Sequence, residues 1–136
     1  MPTRRQFLST TSAAVAALLL PFRSARAAPP PGPHPVPRAG ITGAKVLTRA
    51  QLADRPKLVS LFDSVREIPE VVDGIRCNCG CGTGPGFYSL LTCYEGEDAM
   101  ARDCAVCQGQ GRLAARLHKA GKSLDEIRVA VDGKYG

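Results

Sequence analysis

Cys77-Asn78-Cys79-Gly80-Cys81 places three thiols within five residues. A strand or a straight helix would point these side chains apart, so the stretch reads as a tight turn that interrupts regular structure. Gly80, Gly82, Gly84 and Gly86 supply the backbone freedom such a turn needs. Thiols two residues apart seldom satisfy the bond and torsion geometry of a disulfide. A soft metal ion accepts several thiolates from one turn with much less strain. Three more cysteines lie downstream: Cys93, then Cys104 and Cys107 as a C-x-x-C pair. The expected arrangement brings the turn against the segment carrying that pair.

The segments around the turn read as short helices. Upstream, Thr48-x-x-Gln51 has the form of a capping box, with Leu47 and Leu52 as its hydrophobic staple. Pro56 breaks that run, and Asp54 is the expected cap of a second piece that tolerates proline in its first turn. Leu58, Leu61, Phe62 and Val65 recur at spacings of three and four, which makes one apolar helix face. Pro69 ends it. Val71, Val72 and Ile75 lead into the turn as an extended segment or a further helical turn.

Downstream, Phe87 to Cys93 reads as a short helix and Ala99 to Ala120 as a longer one. Met100, Cys104, Cys107, Ala114 and Leu117 share a face of the latter, which sets the C-x-x-C thiols one turn apart. Gly109 and Gly111 weaken this helix by about 1 kcal/mol each relative to alanine. Gly121 suits its C-terminal cap, and Ser123-x-x-Glu126 opens a last helix lined by Leu124, Ile127 and Val131. No convincing alternating strand and no internal repeat occurs. The expected class is all-α: a small bundle of short helices around a cysteine-rich turn, preceded by a signal peptide and a Pro-rich linker.

The N-terminus has the order of an export signal. Arg4-Arg5 precedes Gln6-Phe7-Leu8, the twin-arginine pattern. The apolar run Ala13 to Leu20 is too short for a membrane span, which needs about 20 apolar residues. Ala25-Arg26-Ala27 offers a small-x-small cleavage site. The expected organisation is therefore a twin-arginine signal peptide at 1–27, a Pro-rich linker at 28–46 and a cysteine-rich helical domain at 47–136. The linker holds six prolines between Pro29 and Pro37, which favour an extended polyproline-like path. His34, inside it, is expected in solvent.

The signal also accounts for most of the charge. The chain has 18 Lys+Arg against 12 Asp+Glu. Four of these arginines and no acid lie in 1–27, leaving 14 against 12, or +2. That balance, with no tryptophan and three tyrosines, does not describe a nucleic-acid surface. The expected location is periplasmic or secreted, with no lipid or membrane anchor after cleavage.

Export of six cysteines leaves three chemistries open. Disulfides are suggested by an even count in an oxidising compartment. Thiolate metal binding is suggested by the five-residue cluster. Thiol–disulfide exchange is suggested by Cys104-x-x-Cys107, although no βαβ pattern surrounds it. Arg76, beside Cys77, is expected to favour its thiolate. His118 lies about 16 Å along a straight helix from Cys107, too far to share a metal with it. No Ser-His-Asp set or paired carboxylate motif is present. Gly82-Thr83-Gly84-Pro85-Gly86 lacks the lysine and the strand–helix setting of a phosphate loop.

Residues 77–136 resemble the bacterial exported family named for its PCYCGC motif. The features in common are Cys77-x-Cys79-Gly80-Cys81, Ser89-Leu90 before Cys93, Cys104-x-x-Cys107, and Gly121-Lys122-Ser123…Glu126-Ile127-Arg128…Tyr135-Gly136. Arg76 stands where the motif has proline and Asn78 where it has tyrosine. A fainter similarity, to the thiol-reductase subunit of cytochrome c maturation, rests on Cys104-Ala105-Val106-Cys107-Gln108 and the same C-terminal ending. The combined expectation is an exported thiolate-rich protein that binds Cu(I) or Zn(II) through Cys77, Cys79, Cys81, Cys93, Cys104 and Cys107, and is not an enzyme. A thiol–disulfide redox protein or a small disulfide-stabilised domain is the alternative. The metal ion is the expected partner, with an exchange partner protein of unknown identity.

Overall fold

The computed structural model describes residues 33–80 and 86–136. The expected signal peptide at 1–27, the first part of the expected linker, and Cys81 with most of the glycine loop lie outside the described residues. Within them the fold is helical, with no strand. Four α-helices are α1 (Val59–Glu67), α2 (Pro69–Asp73), α3 (Ala105–Lys119) and α4 (Leu124–Tyr135). Three 3-10 segments, Pro56–Leu58, Leu90–Tyr94 and Met100–Arg102, join them. None of these helices is long and apolar enough to cross a membrane.

The predicted faces are the ones that pack. Leu61, Phe62 and Val65 of α1 are buried, as are Ile127 and Val131 of α4; on α3 Cys107 and Ala114 are buried as expected, joined by Leu113 from outside the expected face, while Leu117 is half-buried. Phe62 meets Tyr94 edge-on, with ring centroids 4.8 Å apart and planes at 65°. The capping box at Ser123 and Glu126 forms with both reciprocal bonds and starts α4. Pro69 does end α1, and it also occupies the first turn of α2, so Val71 and Val72 take the helical option.

Several boundaries differ from expectation. Thr48 and Gln51 bond reciprocally, Thr48 N–H to Gln51 Oε1 at 2.9 Å and Gln51 N–H to Thr48 Oγ1 at 3.5 Å. The chain then runs through turns instead of a helix. Pro56 leaves too few residues for the nucleus to propagate. Asp54 is not the next cap: Arg55 stands there without a side-chain capping bond, and Asp54 pairs with Arg102 at 2.7 Å. The expected Phe87–Cys93 helix begins only at Leu90, where Ser89 and Thr92 form their own capping box. The expected Ala99–Ala120 helix is split, because Cys104 adopts extended backbone at φ −97° and ψ 108° between two helical pieces.

Gly109 and Gly111 are required by contacts between α3 and two tyrosines. A Cβ at Gly111 would stand 2.0 Å from Tyr94 Oη, and one at Gly109 would stand 2.2 Å from Tyr135 Oη. Tyr94 uses the space to donate to the carbonyl of Cys107 at 2.6 Å. Helix propensity is sacrificed here for close approach.

The described part of the linker is fastened to the helices. The Arg38 N–H and guanidinium donate to Asp73, and Val46 and Leu47 are buried. Leu47 N–H donates to Tyr94 O and Gly96 N–H to Lys45 O, both at 3.2 Å. His34 is not in solvent: its Nδ1 accepts from Arg76 N–H at 3.0 Å, and its Nε2 meets Asp132 Oδ2 at 2.9 Å. Leu90 N–H donates to Ile75 O at 2.8 Å, which closes the neck of the loop carrying the cysteine turn.

Candidate metal centre

Three separate segments bring sulfur to one place. The turn after Ile75 carries Cys77 and Cys79, the 3-10 segment carries Cys93, and the first turn of α3 carries Cys107. Gly80, at φ +73°, takes the left-handed conformation that favours glycine, directly after Cys79. The Sγ atoms of Cys77, Cys79, Cys93 and Cys107 all lie within 4.8 Å of one another. Cys77 Sγ is 3.1 Å from Cys79 Sγ and 3.5 Å from Cys107 Sγ. It is therefore shared between neighbours, and the described thiols do not sort into exclusive close pairs. All five described cysteines are free thiols.

The structure narrows the six-sulfur expectation. Cys104 is three residues from Cys107, yet it does not belong to the mutually close group. It stands at the N-cap of α3, where its Sγ accepts the Cys107 N–H at 3.3 Å. The extended backbone at Cys104 ends the shared-face geometry expected of a continuous helix, so its thiol borders Cys107 from outside. Cys81 lies outside the described residues.

The four-sulfur group is buried, with Cys79 its most accessible member. Hydrogen bonds from the thiols of Cys107 and Cys93 hold the Cys77 thiol well below its usual range, against the effect of burial. Cys107 is pushed far up by donating to Cys77 and Cys93, and burial acts in the same direction. Cys93 is also raised on balance: its contact with Cys107 lowers it, but donation to Cys77 and burial outweigh that. Cys77 is thus the thiol of this group that its neighbours favour as thiolate. The Arg76 guanidinium engages Asn78 Oδ1 at 2.9 Å and Asp132 Oδ1 at 3.2 Å, while neighbouring thiols acidify Cys77.

A polar frame holds the turn. Asn78 Nδ2 donates to Asp132 Oδ1 at 3.3 Å, and Asp132 also binds His34. From the other side Gln110 Oε1 accepts the Asn78 N–H at 3.3 Å. Gln110 is completely buried, and its Nε2 has no hydrogen-bond partner. Sequence reading passed over Gln110, Asp132 and His34 as site-bordering residues. Gln110 had a signal available: it lies three residues after Cys107, on the same helical face. Asp132 is 54 residues from Asn78 and 98 from His34, separations that no local pattern reveals.

The donor set fits a thiophilic ion. Four thiolates at about 2.3 Å from a tetrahedral Zn(II) would stand roughly 3.8 Å apart. The shortest contacts here, 3.1 and 3.5 Å, and the 4.8 Å outer limit bracket that spacing.

Comparison with known proteins agrees on one point. The family model described as "Protein of unknown function with PCYCGC motif" matches residues 41–136. No curated protein and no solved structure matches the chain.

Proposed function

The chain belongs to the family of proteins of unknown function with a PCYCGC motif, and we propose that it is an exported metal-binding protein that holds Cu(I) or Zn(II) on cysteine thiolates. The observation that supports this reading is the convergence of four Sγ atoms, from three segments, within 4.8 Å. Cys77, Cys79, Cys93 and Cys107 are the proposed ligands. Cys104 is a further thiol available for exchange with a donor or acceptor, and Cys81, expected as a ligand, lies outside the described residues. The ion would supply positive charge that neutralises buried thiolates and ties the three segments together. Soft sulfur donors favour Cu(I) and Zn(II) over hard, oxygen-seeking cations.

Binding is proposed in preference to catalysis. Cys77 contacts two sulfurs at once, an arrangement suited to a shared ion. A thiol–disulfide oxidoreductase needs one attacking thiol with a defined resolving partner. We further propose twin-arginine export with cleavage near Ala28, from the Arg4-Arg5 pattern. Elemental analysis of the exported protein, with a thiol count on the same sample, tests the reading. About one equivalent of copper or zinc, lost in Cys77→Ser, is expected. Metal-free protein that reduces insulin disulfides at a robust rate would replace this reading with the redox one.

A further inference from the structure

Gln110 sets a puzzle that the sulfur group answers. It is fully buried on α3, one turn beyond Cys107. Its Oε1 is used by Asn78 N–H, and its Nε2 has no acceptor. Reversing the amide does not help, because the NH2 group would then face the Asn78 N–H, donor against donor. A buried donor without a partner costs about 1–3 kcal/mol, so native proteins rarely keep one without a use. The planar amide is gripped by the backbone of the residue between Cys77 and Cys79. Its NH2 belongs to the same amide, which Asn78 N–H ties to the cysteine turn, and it is buried without a partner. The groups there that gain acceptor strength on metal binding are the sulfurs, because a thiol is a weak acceptor and a metal-bound thiolate a much better one.

Resting on the metal-binding reading, we propose that Gln110 is a positioning residue of the centre. Its Nε2 donates to a ligand sulfur when the cluster is in its thiolate, metal-loaded form. One amide would then do two things. Through Oε1 it fixes the Cys77–Cys79 turn, and through Nε2 it stabilises negative charge on sulfur. It would favour the loaded state over the fully protonated one, in which the donor stays unpaired. Neighbours of this kind typically shift metal affinity by about 10–100-fold.

The test uses the full mature chain with Zn(II) as the probe. Gln110→Glu keeps an oxygen for Asn78 N–H and replaces the donor with a second oxygen. Gln110→Leu removes both. Chelator competition should show Zn(II) affinity falling by about tenfold or more in both variants, with Gln110→Glu at least as impaired as Gln110→Leu. In 15N-labelled wild type, one side-chain NH2 proton of Gln110 should move downfield on Zn(II) addition, a readout that needs no variant to fold. Substituting Co(II), the sulfur-to-metal charge-transfer band should move to lower energy in Gln110→Leu as the thiolate loses its hydrogen bond. Wild type that binds Zn(II) with an unmoved Gln110 NH2 signal, or Gln110→Glu with undiminished affinity, overturns this inference alone. Wild type that binds neither Zn(II) nor Cu(I) overturns the metal-binding reading and this inference with it.

Discussion

Two buried polar centres lie on either side of Ile75, and they are built to opposite ends. The first is Asp73, completely buried. It accepts from Arg38 N–H at 2.8 Å, Arg38 NH2 at 2.7 Å and Ser89 Oγ at 2.6 Å. The second is the sulfur group, where Cys77 Sγ lies within 3.5 Å of two other sulfurs and the amide of Gln110 keeps an unused donor. Both carboxylate oxygens of Asp73 are used and its charge is matched by Arg38, so that centre is complete within the chain. The sulfur centre gathers donors and acceptors that do not fully satisfy one another. Completeness marks a structural fastener, and the first centre pins residue 38 of the linker to α2. Incompleteness marks a place for a ligand.

The largest effect should separate the two centres by metal addition. Zn(II) at about a thousand times its dissociation constant should stabilise the mature domain by roughly 4 kcal/mol. For a domain of this size that raises the melting temperature by about 15–30 °C. Calorimetry on metal-free and loaded protein checks it, and Cys107→Ser should remove most of the gain. An unchanged melting temperature would erase the contrast between the centres.

Asp73 should matter whether or not metal is present. Burial raises its carboxyl pKa, but hydrogen bonds from Arg38 and Ser89 outweigh burial and hold it below its usual 3.8. Removing an anion from a buried pair costs about 3–5 kcal/mol, and partial exposure of Arg38 reduces the expected cost of Asp73→Ala to about 2–3 kcal/mol. The sign of the pH dependence is set by the lowered pKa. This stabilisation is complete above the unfolded value and is lost as pH falls through the folded one. Urea unfolding of metal-free protein should therefore lose this contribution below about pH 4, and Asp73→Asn should lack that dependence.

A smaller loss is expected at the shared wall between the sulfur group and the core. Gly111→Ala gains about 1 kcal/mol of helix propensity but drives a methyl group into Tyr94 Oη, which a Cβ would approach to 2.0 Å. The ring is buried against Phe62 and its hydroxyl is bonded to the Cys107 carbonyl. The overlap should win, with a net destabilisation of about 1–3 kcal/mol by denaturant titration. A more stable variant would mean that Tyr94 moves freely.

The smallest effect belongs to Cys104. Serine is a good N-cap, so Cys104→Ser should change stability by less than about 0.5 kcal/mol. Metal affinity should stay within about threefold, since Cys104 stands outside the mutually close sulfurs. The contrast with Cys107→Ser, three residues away, is the sharpest check on which thiols form the centre. A loss in Cys104→Ser equal to that in Cys107→Ser would restore Cys104 to the ligand set.

Particular residues show where sequence reading stopped. The apolar faces of α1 and α4 were readable because a 3.6-residue period is a local property. Ser123 and Glu126 were readable for the same reason, since a capping box lies within four residues. Thr48 and Gln51 had the same signature and did not start a helix, because propagation needs helix-forming residues downstream and Pro56 intervenes. The break at Cys104 carried no signal. Ala101 and Ala105 on either side favour helix, and only the structure shows the two helical pieces separated there. Gly109 and Gly111 read as weak points in the sequence, and the fold sets Tyr135 and Tyr94 against them.

The sequence alone determined that this chain is helical, belongs with the PCYCGC-motif proteins, and concentrates soft donor atoms around a glycine-bearing turn. These are matters of composition, period and short spacing, which act over a few residues. Only the tertiary structure decided which sulfurs meet. It placed Cys93 and Cys107 beside Cys77 and Cys79, left Cys104 at a helix cap, and brought Gln110, Asp132 and His34 to the turn. Those choices depend on contacts up to 98 residues apart. Their geometry is set by how four helices pack, and no local pattern carries that information.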